Sequence, residues 1–115
     1  MNILKVTGGR PLRGEITVSG AKNAASKMMI ACLLTDEPMV LKNVPRQQET
    51  KITSEIITAV GSSVEWLDKD TLKIETPTIH AAEVKQQSRN NRISILTLAP
   101  LLHRTGEAFV PLVGG

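Results

Sequence analysis

Gly14-Glu-Ile-Thr-Val-Ser-Gly-Ala-Lys-Asn-Ala-Ala25 decides the fold, because along this stretch the hydrophobic period changes from that of a strand to that of a helix. Residues 14–19 read as a short strand. Gly20 then permits a sharp turn that a residue with a Cβ would resist. From Lys22 to residue 34 the apolar positions Ala25, Met28, Met29, Cys32 and Leu33 follow helical spacing. The turn thus delivers Lys22 and Asn23 to the first turn of a helix, where unpaired backbone N–H groups and the helix dipole favour an anion. A lysine ammonium adds a mobile full charge, and an asparagine amide adds a donor and an acceptor. Such a site suits a phosphorylated substrate. On chemistry alone Lys22 can equally be a solvated first-turn residue and Asn23 a cap. The run lacks the glycines of a dinucleotide fingerprint and the Gly-Lys-Ser/Thr ending of a P-loop.

Working outward, residues 3–6 form a second strand-like run, separated from 14–19 by the turn cluster Gly8-Gly-Arg-Pro11. Thr35-Asp-Glu-Pro38 ends the first helix, since a residue before proline is pushed toward extended geometry. Residues 39–44 read as a strand. A second helix is predicted over 49–60, with Ile52, Ile56, Ala59 and Val60 on one face and Gly61 as its stop. A hairpin follows, in which Val64 and Trp66 alternate with Glu65, and Leu72 and Ile74 with Lys73 and Glu75, around the turn Asp68-Lys-Asp70. From Gly14 to Glu75 the order is strand, helix, strand, helix, strand, strand. That alternation predicts an α/β layer with right-handed crossovers, closed by an antiparallel pair.

Residues 77–89 are polar and read as irregular, with a short turn around 81–84. Arg92 opens a third helix, over 93–103, whose Ile93, Ile95, Leu96, Leu98, Leu101 and Leu102 cover nearly its whole circumference and predict burial on most sides. Pro100 either kinks this helix or splits it. Gly106 ends it, residues 107–112 read as a strand, and the chain closes on Val113-Gly-Gly115. A chain ending straight after a strand, with an all-round apolar helix left to cover, reads as a truncated domain.

Composition narrows the function classes. The chain has 115 residues, 41% hydrophobic and 22% charged, enough for one domain and one core. No apolar run approaches the length of a membrane span, and Met1-Asn-Ile-Leu-Lys-Val6 lacks a signal peptide's basic-then-apolar pattern. The lone Cys32 fits a reducing compartment, so a cytoplasmic protein is expected. The net charge of +3 is scattered, and Trp66 and Phe109 are the only aromatic residues. Nucleic-acid binding, which wants a basic stripe with stacking residues, is not expected; anionic small molecules fit better. His80 and His103 have no partners at metal-ligand spacing, and no metal or cofactor is expected.

Five pieces together resemble the N-terminal part of the UDP-N-acetylglucosamine enolpyruvyl transferase family. They are Gly14 through Ala25, Leu33-Leu-Thr-Asp-Glu-Pro38, Lys42-Asn-Val-Pro45, Arg92-Ile-Ser-Ile95 and Val113-Gly-Gly115. They run in family order over the whole chain, the first highly specific and the last three specific through their order. The resemblance implies βαβαββ units of an inside-out α/β barrel in two lobes, incomplete here because family members are several times longer. It implies that residues 1–21 pack with the other lobe and that 22–115 form the first part of the N-terminal lobe. It implies transfer of the enolpyruvyl group of phosphoenolpyruvate to the 3'-hydroxyl of UDP-N-acetylglucosamine, with release of phosphate. Lys22 matches the lysine that binds phosphoenolpyruvate, Asn23 the asparagine that contacts both substrates, and Arg92 an arginine assigned to the UDP-sugar. The general acid is expected on the residue just after Gly115, so this piece alone is expected to be inactive. Cys32, on the apolar face of the first helix, is read as a buried structural cysteine and no substitute.

The chain departs from the family pattern at Ser26-Lys27, at Gln47-Gln-Glu49 and at Leu96. None of these replaces Lys22, Asn23 or Arg92. Arg92 at a helix start opposes the dipole, a placement easier to understand if an anion sits there, whereas Arg89 reads as a surface residue. Two rivals remain. One is the sister enzyme 5-enolpyruvylshikimate-3-phosphate synthase, whose Lys-Ser turn differs from Lys22-Asn23 here; the other is a non-catalytic binding or scaffolding domain of the same fold.

Overall fold

The computed structural model describes residues 2–85 and 91–112. The element order is α1 (Lys22–Ala31), a 3₁₀ turn (Cys32–Leu34), β1 (Met39–Leu41), α2 (Gln48–Val60), β2 (Ser63–Trp66), β3 (Leu72–Glu75), a second 3₁₀ turn (Ser94–Thr97) and α3 (Leu98–Thr105). Three strands form one sheet in the order β1-β3-β2, and β3 pairs antiparallel with both neighbours. β1 and β2 therefore run parallel to each other with β3 between them, joined by α2 as the crossover. The alternation read from the sequence is present, but the hairpin's return strand is inserted into the middle of the layer. Central placement explains why Leu72 and Ile74 are fully buried while the edge strands are half open.

Local chemistry sets the boundaries. α2 stops at Gly61, whose φ of 130° is accessible to glycine, and a Cβ there would overlap the Thr78 carbonyl oxygen. The expected hairpin is present, and its register pairs Val64 with Ile74 and Trp66 with Leu72. Asp68 Oδ1 accepts from the N–H groups of Asp70 (2.9 Å) and Thr71 (2.8 Å), which builds the turn and lowers the Asp68 pKa. Arg46 lies over the Trp66 ring, 4.0 Å from its centroid, and donates to the carbonyls of Asp68 and Lys69. The core is filled from α1 and its following turn (Met29, Leu33), α2 (Ile56, Ile57, Val60), the sheet and Leu101.

Four expectations change. Residues 3–6 and 14–19 form no strand and lie exposed, because none of the described residues offers them a ladder partner. The strand expected over 39–44 is three residues long. Pro100 does not split the third helix: a 3₁₀ turn leads directly into α3, and Pro100 occupies α3's first turn, where a missing N–H is tolerated. Leu101 is buried, but Ile95 and Leu102 remain exposed, so the apolar surface of this segment is covered on one side rather than most. Residues 107–112 contribute a single parallel bridge, Phe109 to Glu83, instead of a strand. The irregular segment predicted over 77–89 is described to residue 85; Arg89 and Val113-Gly-Gly115 lie outside the described residues.

Arg104 joins these parts. Its Nη1 donates to the carbonyls of Thr76 (2.7 Å), Leu33 and Thr35 (both 3.2 Å), and Nη2 to that of Pro77 (3.2 Å). One guanidinium thus fastens α3 to the end of the first helical segment and the exit of β3.

Candidate functional site

Lys22 and Asn23 are the first two residues of α1, following Ala21, whose extended backbone (φ −76°, ψ 131°) turns the chain into the helix. Gly20 is required here for a reason the sequence did not reveal. Its φ is not in the left-handed region; instead, a Cβ would overlap the carbonyl oxygen of Asn43 and crowd Pro45. Asn43, at φ 57°, presents that carbonyl from the loop between β1 and α2. The Gly20 contact therefore holds the start of α1 against the loop that leads into α2.

As a result two helix N-termini meet. Gln47, Gln48 and Glu49 at the start of α2 face Lys22 and Asn23 across a cleft of about 860 Å³, whose lining also includes Ser26, Lys27, Ile52, Arg92 and Leu96. Neither helix carries a side-chain cap, so both first turns keep unpaired N–H groups. Lys22 Nζ forms an ion pair with Glu49 Oε1 at 3.0 Å. Both carboxylate and ammonium are partly open to solvent, so the pair positions more than it stabilises. Glu49, in the first turn of α2, also suits that helix's dipole.

Arg92 reaches the same cleft from the far end of the sequence. It does not open a helix: a 3₁₀ turn begins at Ser94 and α3 only at Leu98, so the dipole reason for its placement falls away. What positions it is Asn91, whose Oδ1 accepts from the N–H of Ile93 (2.9 Å) and from the N–H and hydroxyl of Ser94 (3.1 and 3.2 Å). Asn91, Glu49, Ser26 and Lys27 were not picked out as site residues. The Asn-x-x-Ser spacing was a legible signal for the first; the others needed the relative placement of α1 and α2.

Lys22, Asn23 and Arg92 thus line one cleft, and Cys32 does not. Cys32 is buried, its Sγ donates to the Met28 carbonyl at 3.2 Å, and burial pushes its thiol pKa up. Among the described residues, no group of three or more His, Cys, Asp and Glu could hold a metal ion. The cleft's chemistry is cationic, with amide and hydroxyl donors beside it, and fits an anionic ligand.

Residues 6–115 match the family model described as EPSP synthase (3-phosphoshikimate 1-carboxyvinyltransferase), and the chain belongs to that family. Within it, the chain is 46% identical to UDP-N-acetylglucosamine 1-carboxyvinyltransferase of Chlamydia abortus over its full length, 27% of that protein. The enzyme of the same name from Hyphomonas neptunium is 40% identical, with 28% of its length covered. Among solved structures, the enolpyruvyl transferase NikO from Streptomyces tendae superposes with a TM-score of 0.67 at 25% identity, over 86% of this chain and 23% of that one. The chain spans about a quarter of the length of these relatives.

Proposed function

We propose that this chain supplies part of the substrate site of an enolpyruvyl transferase that moves the enolpyruvyl group of phosphoenolpyruvate onto the 3'-hydroxyl of UDP-N-acetylglucosamine, releasing phosphate for peptidoglycan synthesis in the cytoplasm. The observation that carries this reading is the convergence of Lys22 and Asn23 with Arg92, distant from them in sequence, on one cleft at two uncapped helix N-termini. Lys22 holds the phosphate of phosphoenolpyruvate by close charge, displacing its own contact with Glu49. Asn23 orients the substrates beside it, and the planar guanidinium of Arg92 engages the diphosphate of the nucleotide sugar.

The reaction is an addition followed by an elimination through a tetrahedral intermediate. It needs a proton for the methylene carbon and a base for the sugar hydroxyl. The proton donor is expected on the residue after Gly115, and Cys32 is too well buried to replace it. In this reading residues 1–21 pack with the second lobe and 22–115 open the first. The remaining phosphate-binding groups belong to the rest of a two-lobed protein.

The relatives' names favour the UDP-sugar over shikimate 3-phosphate as acceptor, and so does Asn23 directly after Lys22. The test is phosphate release by the full-length protein from phosphoenolpyruvate with each acceptor in turn. Turnover with UDP-N-acetylglucosamine is expected. Turnover with shikimate 3-phosphate alone would transfer the reading to the sister enzyme, and turnover with neither would leave a binding domain of the same fold.

A further inference from the structure

Three cationic side chains line the cleft, Lys22, Lys27 and Arg92, against one carboxylate, Glu49. Glu49 is engaged with Lys22. Lys27 and Arg92 make no hydrogen bond or ion pair among the described residues, so two positive charges face the cleft uncompensated. Lys27 follows Asn23 by four positions, which puts both side chains on one face of α1.

A second, independent feature lies beside it. Ser26 lines the same cleft and is 5% exposed, and among the described residues its hydroxyl is the buried side-chain oxygen or nitrogen left without a partner. The other buried hydroxyls nearby are all satisfied: Thr50 donates to the Pro45 carbonyl at 2.6 Å and Thr53 to that of Glu49 at 2.7 Å. A serine inside a helix ordinarily satisfies itself on the carbonyl four residues back. Here it does not, and an unpaired buried hydroxyl is costly. The oxygen has almost no exposed surface in this rotamer, so an acceptor entering the cleft would supply the missing partner once the serine side chain rotates toward it.

We propose that Ser26 and Lys27, together with Arg92, form a diphosphate-binding wall of the cleft, with Lys22 left to the smaller anion and Asn23 beside both ligands. The proposal rests on the transferase reading and adds to it the residues that hold the nucleotide sugar's charged centre. Two uncompensated cations match the two charges of a diphosphate, and a cleft of about 860 Å³ accommodates a ligand of nucleotide-sugar size.

Steady-state kinetics of the full-length protein test it. Lys27→Gln should raise KM for UDP-N-acetylglucosamine about tenfold, with KM for phosphoenolpyruvate moving less than about twofold. Lys27→Arg should recover most of the loss, and Ser26→Ala should raise the same KM about threefold. Raising salt should weaken the wild type more than Lys27→Gln, since a charge contact is being screened. A nucleotide-sugar KM within twofold of wild type in Lys27→Gln, with unchanged melting temperature, overturns the proposal. If the wild type turns over neither acceptor, the transferase reading itself fails, and titration calorimetry with inorganic diphosphate decides the wall separately. A dissociation constant about tenfold weaker in Lys27→Gln then supports it, and equal or absent binding in both proteins overturns it.

Discussion

At the scale of single residues, the Lys22–Glu49 pair and the Gly20–Asn43 approach make different predictions. The ion pair is half-open to solvent, so Lys22→Ala should cost less than about 1 kcal/mol of stability. In the full-length protein the same change should lower kcat/KM for phosphoenolpyruvate by about a hundredfold or more, because a cation aimed at developing charge is lost. Near-normal kinetics would remove Lys22 from the site. Gly20→Ala behaves oppositely: the added methyl meets a backbone carbonyl, which cannot rotate away. About 3 kcal/mol of destabilisation is expected, at the upper end of overpacking costs, and a melt within 2 °C of wild type would contradict it. Cys32 carries the pH dependence at this scale. Burial raises its pKa, so below the ordinary thiol value of about 8.5 the folded and unfolded chains both hold the proton. Above it the unfolded chain ionises while the folded chain does not, so the unfolded state binds fewer protons and stability falls as pH rises. A melting temperature that declines from about pH 8.5 to 10 is expected, and the decline should be shallower in Cys32→Ala.

At the scale of elements, what the sequence revealed and what it hid separate along one physical line. The second helix and the hairpin were legible because their signals are local: apolar spacing, Gly61 as a stop, and Val64, Trp66, Leu72 and Ile74 in strict alternation. The insertion of β3 between β1 and β2 was not, because strand order depends on which edges pair, and the hydrophobic pattern of a short strand does not say. The third helix was misjudged in both its start and its burial. An all-round apolar run says that a segment wants cover on every side, not that cover is present in the same chain. For the site, Lys22 and Asn23 were legible from the strand–glycine–helix turn. Arg92 came through family resemblance, and Glu49, Ser26 and Lys27 through the meeting of α1 and α2 alone. Arg104 carried no sequence signal, yet it donates to four backbone carbonyls at the ends of two other elements. Arg104→Met keeps the stem but leaves those carbonyls without a charged donor. A loss of about 2–3 kcal/mol in denaturant unfolding is expected, and a loss below 0.5 kcal/mol would show that water replaces the guanidinium without penalty.

At the scale of the whole molecule, the chain leaves more surface open than a finished domain of its size. Its radius of gyration is 17.1 Å, where about 13 Å is usual for a compact chain of this length. Its accessible surface is 8411 Å², against roughly 6,200 Å² for a compact monomer of the same mass. The excess traces largely to residues 2–19, which lie outside any helix or strand with Ile3, Leu4, Val6, Leu12, Ile16 and Val18 each at least 75% exposed. Ile95, Leu102 and Phe109 add apolar surface near α3. Exposed apolar residues on a segment whose backbone joins no helix or sheet form an open template for pairing with another chain. The isolated 115-residue chain should therefore associate, eluting well above its 12.5 kDa mass and binding hydrophobic dyes. Removing residues 1–19 should reduce that association while leaving the hairpin and the α1–α2 packing intact, because none of the buried core residues lies in that segment. Light scattering on the two chains separates the outcomes. A monodisperse 12.5 kDa monomer with a single cooperative melt would show that this segment needs no partner, and would count against its packing with a second lobe.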